Sequence, residues 1–208
     1  DDLVDNYKQT KTLPSTSAIP VGEYTDKFAE LTADGSSVVH ISLSSGVSSS
    51  HRNAVIAAED FEDVYIVDSM LLTTGISALI IKAAHMAESG MSAAEIAKEL
   101  ESLREKVDVS FVLDNLEFLA KGGRCSAVAA FGANLLQLKP CITVRGGKMG
   151  VGKKYRGKFA QVLDKYIAEQ LGDASDVELD RIFVTHAGCD ESIYTACVEK
   201  VKSIAPFK

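Results

Sequence analysis

The sequence has little of what marks several large classes of protein. Its four cysteines lie far apart without CxxC spacing, so neither a zinc site nor a disulfide framework is predicted. No run approaches the roughly 18 uninterrupted apolar residues of a transmembrane helix, and the polar, acidic residues 1–11 lack the apolar segment of a signal peptide. The 22 Lys and Arg residues are outnumbered by 29 Asp and Glu residues, which disfavours a nucleic-acid partner. These absences indicate a soluble, cytoplasmic protein without a bound metal or cofactor.

The residues that are present can form a substantial core. Hydrophobic residues occupy 46% of the 208 positions, enough for one large or two small domains. In residues 1–110 short apolar strands alternate with helices, which predicts a parallel α/β sheet with helices on both faces. In residues 111–208 two strands joined by a two-glycine turn precede further helices, which predicts a smaller α+β domain. The predicted fold is therefore α/β with two domains.

The individual elements are predicted from hydrophobic periodicity and from capping and turn residues. Helices are predicted over residues 1–11, 22–31, 54–58, 73–87, 92–103, 114–119, 126–136, 157–171 and 191–204. Strands are predicted over residues 38–41, 64–67, 111–112, 138–145, 148–155 and 182–184. Asp114 is the predicted cap of the helix that follows it, and Ser92 with Glu95 has the pattern of a capping box.

Residues 38–58, VVHISLSSGVSSSHRNAVIAA, combine a strand, a hydroxyl-rich turn and a helix. Six of the nine residues from Ser42 to Ser50 are serine. Such a layout presents backbone N–H groups and the positive end of a helix dipole to an anion. A solvated loop that ends in an N-cap serine is the alternative interpretation, and these residues alone do not distinguish the two.

Two further groups of side chains could bind an anion. Thr16 and Ser17, in the proline-bounded loop 12–20, could join Ser44, Ser45 and Ser48 in holding a carboxylate or phosphate without a formal positive charge.

The second group is the basic stretch 145–158, which holds six cations in an acidic chain. It is either a solvated hairpin or a surface in which Arg156 faces an anionic ligand and the other cations face a partner. Arg124 follows Gly122-Gly123, a helix C-cap that could also display this arginine.

A stand-alone enzyme, either a serine hydrolase or a phosphotransferase, is the alternative from another class of function. Ser45, Asp68 and either His51 or His186 are the residue types of a Ser-His-Asp triad, but the sequence has no G-x-S-x-G elbow. The four histidines show no metal-binding spacing, so no metal site is predicted. A docking module that binds a partner through its basic hairpin is a third interpretation.

Six motifs in order give the sequence a family resemblance. TSxxPxxxY from Thr16 to Tyr24 is followed by ISLSSGVSSS, IVDS, LEFLAKGGR, LLQLKPCITVRGGK and KYRGK. Over nearly the whole chain this pattern resembles the DegV family of bacterial fatty-acid-binding proteins. The resemblance implies the DegV-like (EDD) fold, with an α/β domain at 1–110, a smaller domain at 111–208 and one long-chain fatty acid bound between them. It also implies a non-catalytic lipid carrier that presents the acid to a separate fatty acid kinase subunit, with transient membrane contact for lipid exchange.

The resemblance also implies roles for particular residues. Thr16 matches a threonine expected to bind the fatty acid carboxylate, and Ser45 and Ser48 are the expected donors from the serine turn, with no choice made between them. Arg156 is expected near the head group, with Ser17 and Ser44 as additional loop residues. Arg124 is expected at the surface that docks the kinase.

The chain departs from the family pattern at several places. TSAIP replaces the usual TSQPS, and Ser49-Ser50 replaces a usual Gly-Thr in the turn. The family's first strand, with a TDS motif, and its last segment, HxGPG, are expected to lie outside this sequence. His186 belongs to an earlier THAG segment and is not the histidine of HxGPG.

Overall fold

The computed structural model describes residues 2–129 and 138–207. The predicted helix 126–136 falls largely outside these residues, and its described part is α7. The helices are α1 (Asp2–Thr10), α2 (Val21–Thr32), α3 (Ser50–Ala58), α4 (Thr74–Glu88), α5 (Ala93–Leu103), α6 (Glu117–Gly122), α7 (Ser126–Ala129), α8 (Phe159–Leu171) and α9 (Glu191–Ile204). The strands are β1 (Val38–Ser42), β2 (Val64–Asp68), β3 (Val109–Val112), β4 (Leu138–Arg145) and β5 (Lys148–Arg156).

The chain forms two compact units. One contains Ser15–Ser110 and Thr143–Gly150, and the other contains Asp1–Pro14, Phe111–Ile142 and Val151–Lys208. The sequence predicted a division between residues 110 and 111. In the structure two short segments, 1–14 and 143–150, belong to the unit on the other side of that division. Residues 1–14 join the second unit because the Tyr7 hydroxyl bonds Glu117 and Lys121 of α6. The hairpin tip 143–150 joins the first unit because Ser44 bonds Gly147.

The Ser15–Ser110 unit is built on a parallel pair of strands. β1 and β2 run in register from Val38 opposite Val64 to Ser42 opposite Asp68. Alternate residues face opposite sides of the pair. Val38 and Ile66 pack with Tyr24 and Phe28 of α2 and with Ala54 and Ala57 of α3. Val39 and Ile41 pack in a second cluster with Val67, Leu79 of α4 and Leu100 of α5. The predicted parallel α/β layer with helices on both faces is confirmed.

Local sequence signals account for the ends of several elements in this unit. Ser92 and Glu95 form the predicted capping box, in which the Ser92 hydroxyl accepts from the Glu95 N–H and the Glu95 carboxylate accepts from the Ser92 N–H. α4 begins at Thr74 and ends at Glu88, one residue later at each end than predicted. The start of α5 is thus explained by its own residues.

The other unit packs helices against the β4–β5 hairpin. Gly146 and Gly147, with φ of +54° and +75°, join β4 and β5 in a two-residue turn of the predicted primed kind. In the three-stranded sheet the order is β3-β4-β5. Cys141 and Tyr155 pack against Val162 of α8, with Val112 and Tyr166 beside them.

Two predictions in this unit are wrong. Asp114 does not cap a helix: its carboxylate pairs with Lys139 at 2.6 Å, and α6 begins at Glu117, whose N–H donates to the Asn115 side chain. Residues 182–184 form no strand, because within the described residues no neighbouring strand pairs with their backbone.

In the part of the chain that the structure describes, no helix is both long and apolar enough to cross a membrane. Among the described residues no cysteine forms a disulfide bond, and Cys125 and Cys141 are buried.

Candidate functional site

The serine turn connects the carboxyl end of β1 to α3. The N–H groups of Val47 and Ser48 donate to the Ser44 carbonyl at 3.1 and 3.2 Å, which closes the turn on itself. The Ser44 N–H donates to the Leu71 carbonyl at 3.1 Å, beyond the end of β2. The turn therefore lies where ligands usually bind in parallel sheets, at the carboxyl ends of the strands.

Ser44 is the anchor of this turn. Its side chain is buried, its hydroxyl donates to the Gly147 carbonyl at 2.6 Å, and it accepts from the Gly46 N–H at 3.1 Å. The hydroxyl is thus engaged on both sides by backbone groups. Ser44 was expected as an additional residue of the head-group loop, and its contacts show that it holds the turn in position.

Two backbone segments come so close together that glycine is required at positions 46 and 147. A Cβ at Gly46 would overlap the Gly147 carbonyl, and a Cβ at Gly147 would lie 2.7 Å from the Ser44 hydroxyl oxygen. Neither position has room for a side chain. The serine turn and the β4–β5 turn therefore meet through backbone atoms.

Ser45 is held by Asp68 at the end of β2. The Ser45 N–H donates to Asp68 Oδ1 at 3.2 Å, and the Met70 N–H donates to the same oxygen at 2.9 Å. Burial alone would raise the pKa of Asp68, but hydrogen bonds from the Ser45 hydroxyl and from the Met70 and Ser45 N–H groups together hold the pKa below its usual value. The Asp68 carbonyl accepts from Arg104 Nη1 at 2.7 Å. Asp68 is therefore an ionised, well-fixed acceptor beneath the turn.

Ser48 and Ser50 lie at the start of α3. Their hydroxyl oxygens are 2.9 Å apart, and the Ser50 N–H donates to Ser48 Oγ at 3.1 Å. Ser49 makes no side-chain cap bond, so the cap interaction comes from Ser48. Burial raises the pKa of Tyr24, and the Ser50 side chain opposes this rise.

The loop that carries Thr16 and Ser17 is tied to the same helix. Both residues are exposed, and Asn53 Nδ2 of α3 donates to the Ile19 carbonyl at 2.7 Å. The proline-bounded loop and the serine turn therefore both reach the first two turns of α3. Within this unit the structure brings together the two loops that were singled out from the sequence.

The residues of the hydrolase interpretation are arranged differently from a triad. His51 Nδ1 lies 2.9 Å from the hydroxyl of Ser42, which itself donates to the Val67 carbonyl. Ser45 contacts Asp68 through its backbone N–H, and the His51 ring is engaged by Ser42 rather than by Ser45. His186 belongs to the other unit, where its ring packs against Tyr194. This geometry offers no general base to Ser45.

Arg156 lies in the other unit and lines an open cavity of about 590 Å³. Lys153, Lys154 and Lys165 line it too, together with Tyr155 and Gln161. Lys153 pairs with Glu169 at 2.7 Å, and the Tyr155 hydroxyl donates to the same carboxylate at 2.8 Å. Burial and then Glu169 raise the pKa of Tyr155. The lining of the cavity thus carries four cations, three of them from the basic stretch 145–158.

Arg124 is exposed after α6. Gly123 takes the left-handed C-cap conformation with φ of +69°, and Arg124 Nη1 donates to the Gly122 carbonyl at 2.6 Å.

Two contacts at this site were not predicted from the sequence. Asp68 was considered only as a member of the alternative triad, whereas in the structure it accepts from the Ser45 N–H. No sequence pattern indicated Arg104, because it donates to the backbone carbonyl of Asp68, which lies 36 residues earlier.

These observations define a two-domain α/β protein with a serine-rich turn fixed at the carboxyl end of a parallel strand pair. The chain belongs to the DegV family: the family model described as "Uncharacterised protein, DegV family" matches residues 1–206. A DegV domain-containing protein of Clostridium acetobutylicum is 33% identical over 174 residues, which cover 78% of this chain and 62% of that protein. The chain thus spans less than two thirds of the length of this curated relative.

Solved structures show the same fold. A DegV family protein from Eubacterium eligens, loaded with heptadecanoic acid, matches with a TM-score of 0.83 and 20% identity over 100% of this chain and 75% of its own. A stearic acid-binding protein from Eubacterium ventriosum matches with a TM-score of 0.68 and 28% identity over 83% of this chain and 63% of its own. The predicted family and fold are confirmed.

Proposed function

We propose that this protein binds a long-chain fatty acid and holds the carboxylate with the serine turn and the Thr16 loop. The observation that carries the proposal is membership of the DegV family together with a fixed serine turn at the strand ends. The heptadecanoic acid and stearic acid named for the two structural neighbours support the ligand class. We also propose a non-catalytic role, which the description of a structural neighbour as a stearic acid-binding protein supports.

The chemistry of the turn suits a carboxylate. A carboxylate removed from water must be hydrogen-bonded, and hydroxyl and amide donors can do this without a fixed positive charge. The α3 N-terminus adds a favourable dipole. Burial of an acyl chain contributes about 0.8 kcal/mol per CH₂, so the tail would dominate affinity and the head group would set orientation.

The proposed head-group residues are Thr16, either Ser45 or Ser48, and Arg156. Thr16 and the two serines come from loops that meet at α3, which supports their joint role. Arg156 would supply a charge-assisted bond from the basic cavity of its own unit. Ser17 and Ser44 complete the two loops.

Lipid binding is tested by extracting the purified protein with organic solvent and by titrating delipidated protein with palmitate. We expect a long-chain acid in the extract and saturable palmitate binding. Thr16→Val should weaken palmitate binding about fivefold to twentyfold, because one hydrogen bond to a charged group is lost. Thr195→Val, at an exposed position of α9, is the matched control. An empty extract together with no palmitate uptake would overturn the proposal.

We further propose that the bound acid is presented in the cytoplasm to a separate fatty acid kinase subunit, after transient membrane contact for lipid exchange. Arg124, at its exposed C-cap, would contact the kinase. Arg124→Ala should then reduce kinase-dependent acyl phosphate formation while palmitate affinity stays unchanged. Acyl phosphate formed by this chain and ATP without a kinase would contradict a carrier role.

A further inference from the structure

A second cavity, of about 330 Å³, lies within the unit that carries the serine turn. Its walls come from the loop after β2, from the residues that follow α5, and from the end of β4 with the first residue of the β4–β5 turn. The volume is at the lower end of the range of about 300–1,000 Å³ that is usual for small-molecule pockets. The cavity therefore suits a small ligand rather than a long acyl chain.

Three cations line this cavity, in a chain whose formal net charge is −7: Arg104, Lys106 and Arg145. Lys106 and Arg145 are exposed, and neither forms an ion pair with any residue that the structure describes. Two acids, Glu105 and Asp108, also line the cavity. Cations thus outnumber acids in this cavity, whereas acids outnumber cations in the chain as a whole.

Arg104 is held in place without being fully hydrogen-bonded. Its Nη1 donates to the Asp68 carbonyl at 2.7 Å, and only 21% of its side chain is exposed. Its Nε is buried and has no hydrogen-bond partner among the described residues. Glu105 Oε1 lies 3.8 Å from this Nε, beyond hydrogen-bond distance, and 70% of the Glu105 side chain is exposed. A buried N–H without an acceptor is costly, so an acceptor on a bound anion would stabilise this arginine.

A phosphate group matches these cations better than a carboxylate does. A phosphate monoester carries about 1.5–2 negative charges near pH 7 and three acceptor oxygens, whereas a carboxylate carries one charge and two oxygens. Lys106 and Arg145 supply two charges that have no counter-ion among the described residues, and Arg104 adds a guanidinium N–H without an acceptor. Arginine and lysine are the side chains that commonly bind phosphate in proteins.

We propose that this cavity, the phosphate cavity, binds the phosphate group of a small phosphorylated compound through Arg104, Lys106 and Arg145. The site shares no residue with the proposed head-group site of the fatty acid, so the inference goes beyond the proposed function and does not depend on it. Because the Asp68 carbonyl already fixes Arg104, this side chain loses little conformational freedom when the anion binds.

The experiment titrates the protein with inorganic phosphate, with glycerol 3-phosphate and with sodium chloride at matched ionic strength. The readout is the Nε–H signal of Arg104 in the nuclear magnetic resonance spectrum of isotope-labelled protein, identified by its loss in Arg104→Lys. Because this N–H lacks an acceptor, we expect its signal to shift saturably with both phosphates and to stay in place with sodium chloride. Glycerol 3-phosphate should bind at least as tightly as inorganic phosphate, since the cavity has room beyond a phosphate group.

Charge variants of opposite sign give a second test. Lys106→Gln and Arg145→Gln should each weaken phosphate binding about twofold to fivefold, the size expected for an exposed charge pair, and together about tenfold. Glu105→Gln should strengthen phosphate binding about twofold, because it removes a negative charge from the lining. Lys98→Gln, exposed on α5 outside the cavity, is the matched control and should leave the affinity unchanged. Thermal unfolding of each variant shows whether the fold is intact.

Each outcome bears on the phosphate cavity alone. An Arg104 Nε–H signal that moves with neither phosphate, or that moves equally with sodium chloride, overturns the proposal. Equal losses from Lys98→Gln and Arg145→Gln indicate a general attraction between charges and overturn it as well. Binding of inorganic phosphate with exclusion of glycerol 3-phosphate overturns a phosphorylated compound as the ligand. Because no fatty acid is added in these titrations, their failure leaves fatty acid binding standing, and an empty lipid extract leaves the phosphate cavity standing.

Discussion

The Ser44 hydroxyl donates a 2.6 Å hydrogen bond to the carbonyl of Gly147, a residue 103 positions later in the chain. This bond joins the serine turn to the tip of the β4–β5 hairpin. Both groups are buried, so their hydrogen-bonding capacity cannot be met by bulk water.

Ser44→Ala should therefore destabilise the protein. The change leaves the Gly147 carbonyl and the Gly46 N–H without their shared partner, which costs about 1–3 kcal/mol. Chemical denaturation measures the free energy of unfolding, and Ser37→Ala at an exposed position serves as control. A stability equal to wild type would show that water or another group replaces the Ser44 hydroxyl.

Gly46→Ala tests the close approach of the two turns. The new methyl group would overlap the Gly147 carbonyl, and the resulting backbone shift should cost about 1–3 kcal/mol in the free energy of unfolding. Gly22→Ala in α2 is the matched control, because open space surrounds it, and it should be neutral or stabilising by up to about 1 kcal/mol. Equal effects at the two glycines would contradict the backbone contact between the turns.

Asp68 should give the protein an acid-sensitive contribution to stability. Its pKa in the folded protein is lowered, so the unfolded chain takes up a proton first as the pH falls. The contribution is complete above about pH 5 and is lost as the pH falls through the folded pKa. Unfolding followed by urea at several pH values should show a shallower acid slope in Asp68→Asn than in wild type. Asp26→Asn, on an exposed side of α2, is the control, and an acid slope that Asp68→Asn leaves intact would refute this assignment.

His40 should add a second pH dependence of the same sign at higher pH. Burial, followed by the charge of His51, lowers the pKa of His40, and among the described residues its Nε2 has no hydrogen-bond partner. As the pH falls through about 6.5, the unfolded chain binds the proton before the folded protein does, so stability falls from about pH 7.5 downward. His40→Phe keeps a ring beside Phe28, at 5.8 Å from His40 in the wild type, and should reduce this slope. His85→Gln, exposed on α4, should leave the slope as it is.

Most of the secondary structure could be predicted because its signals are local. The β4 bounds, the last helix and the Ser92–Glu95 capping box each depend on residues that are neighbours in the sequence. The errors occurred where a distant partner decides the outcome. Asp114 has the composition of a cap but pairs with Lys139, and residues 182–184 have the composition of a strand but lack a pairing neighbour among the described residues.

The same distinction applies to the candidate site. The order of six motifs was enough to identify the family and to direct attention to the serine turn, because those motifs are contiguous in the sequence. It left Ser45 and Ser48 equivalent, since both are serines in one turn. Only the folded chain distinguishes them: β1 pairs with β2 and brings Asp68 to the Ser45 N–H, while the Ser48 hydroxyl lies beside the Ser50 hydroxyl at the start of α3. A hydroxyl's function depends on which partner takes its single proton, and that partner is chosen by tertiary packing.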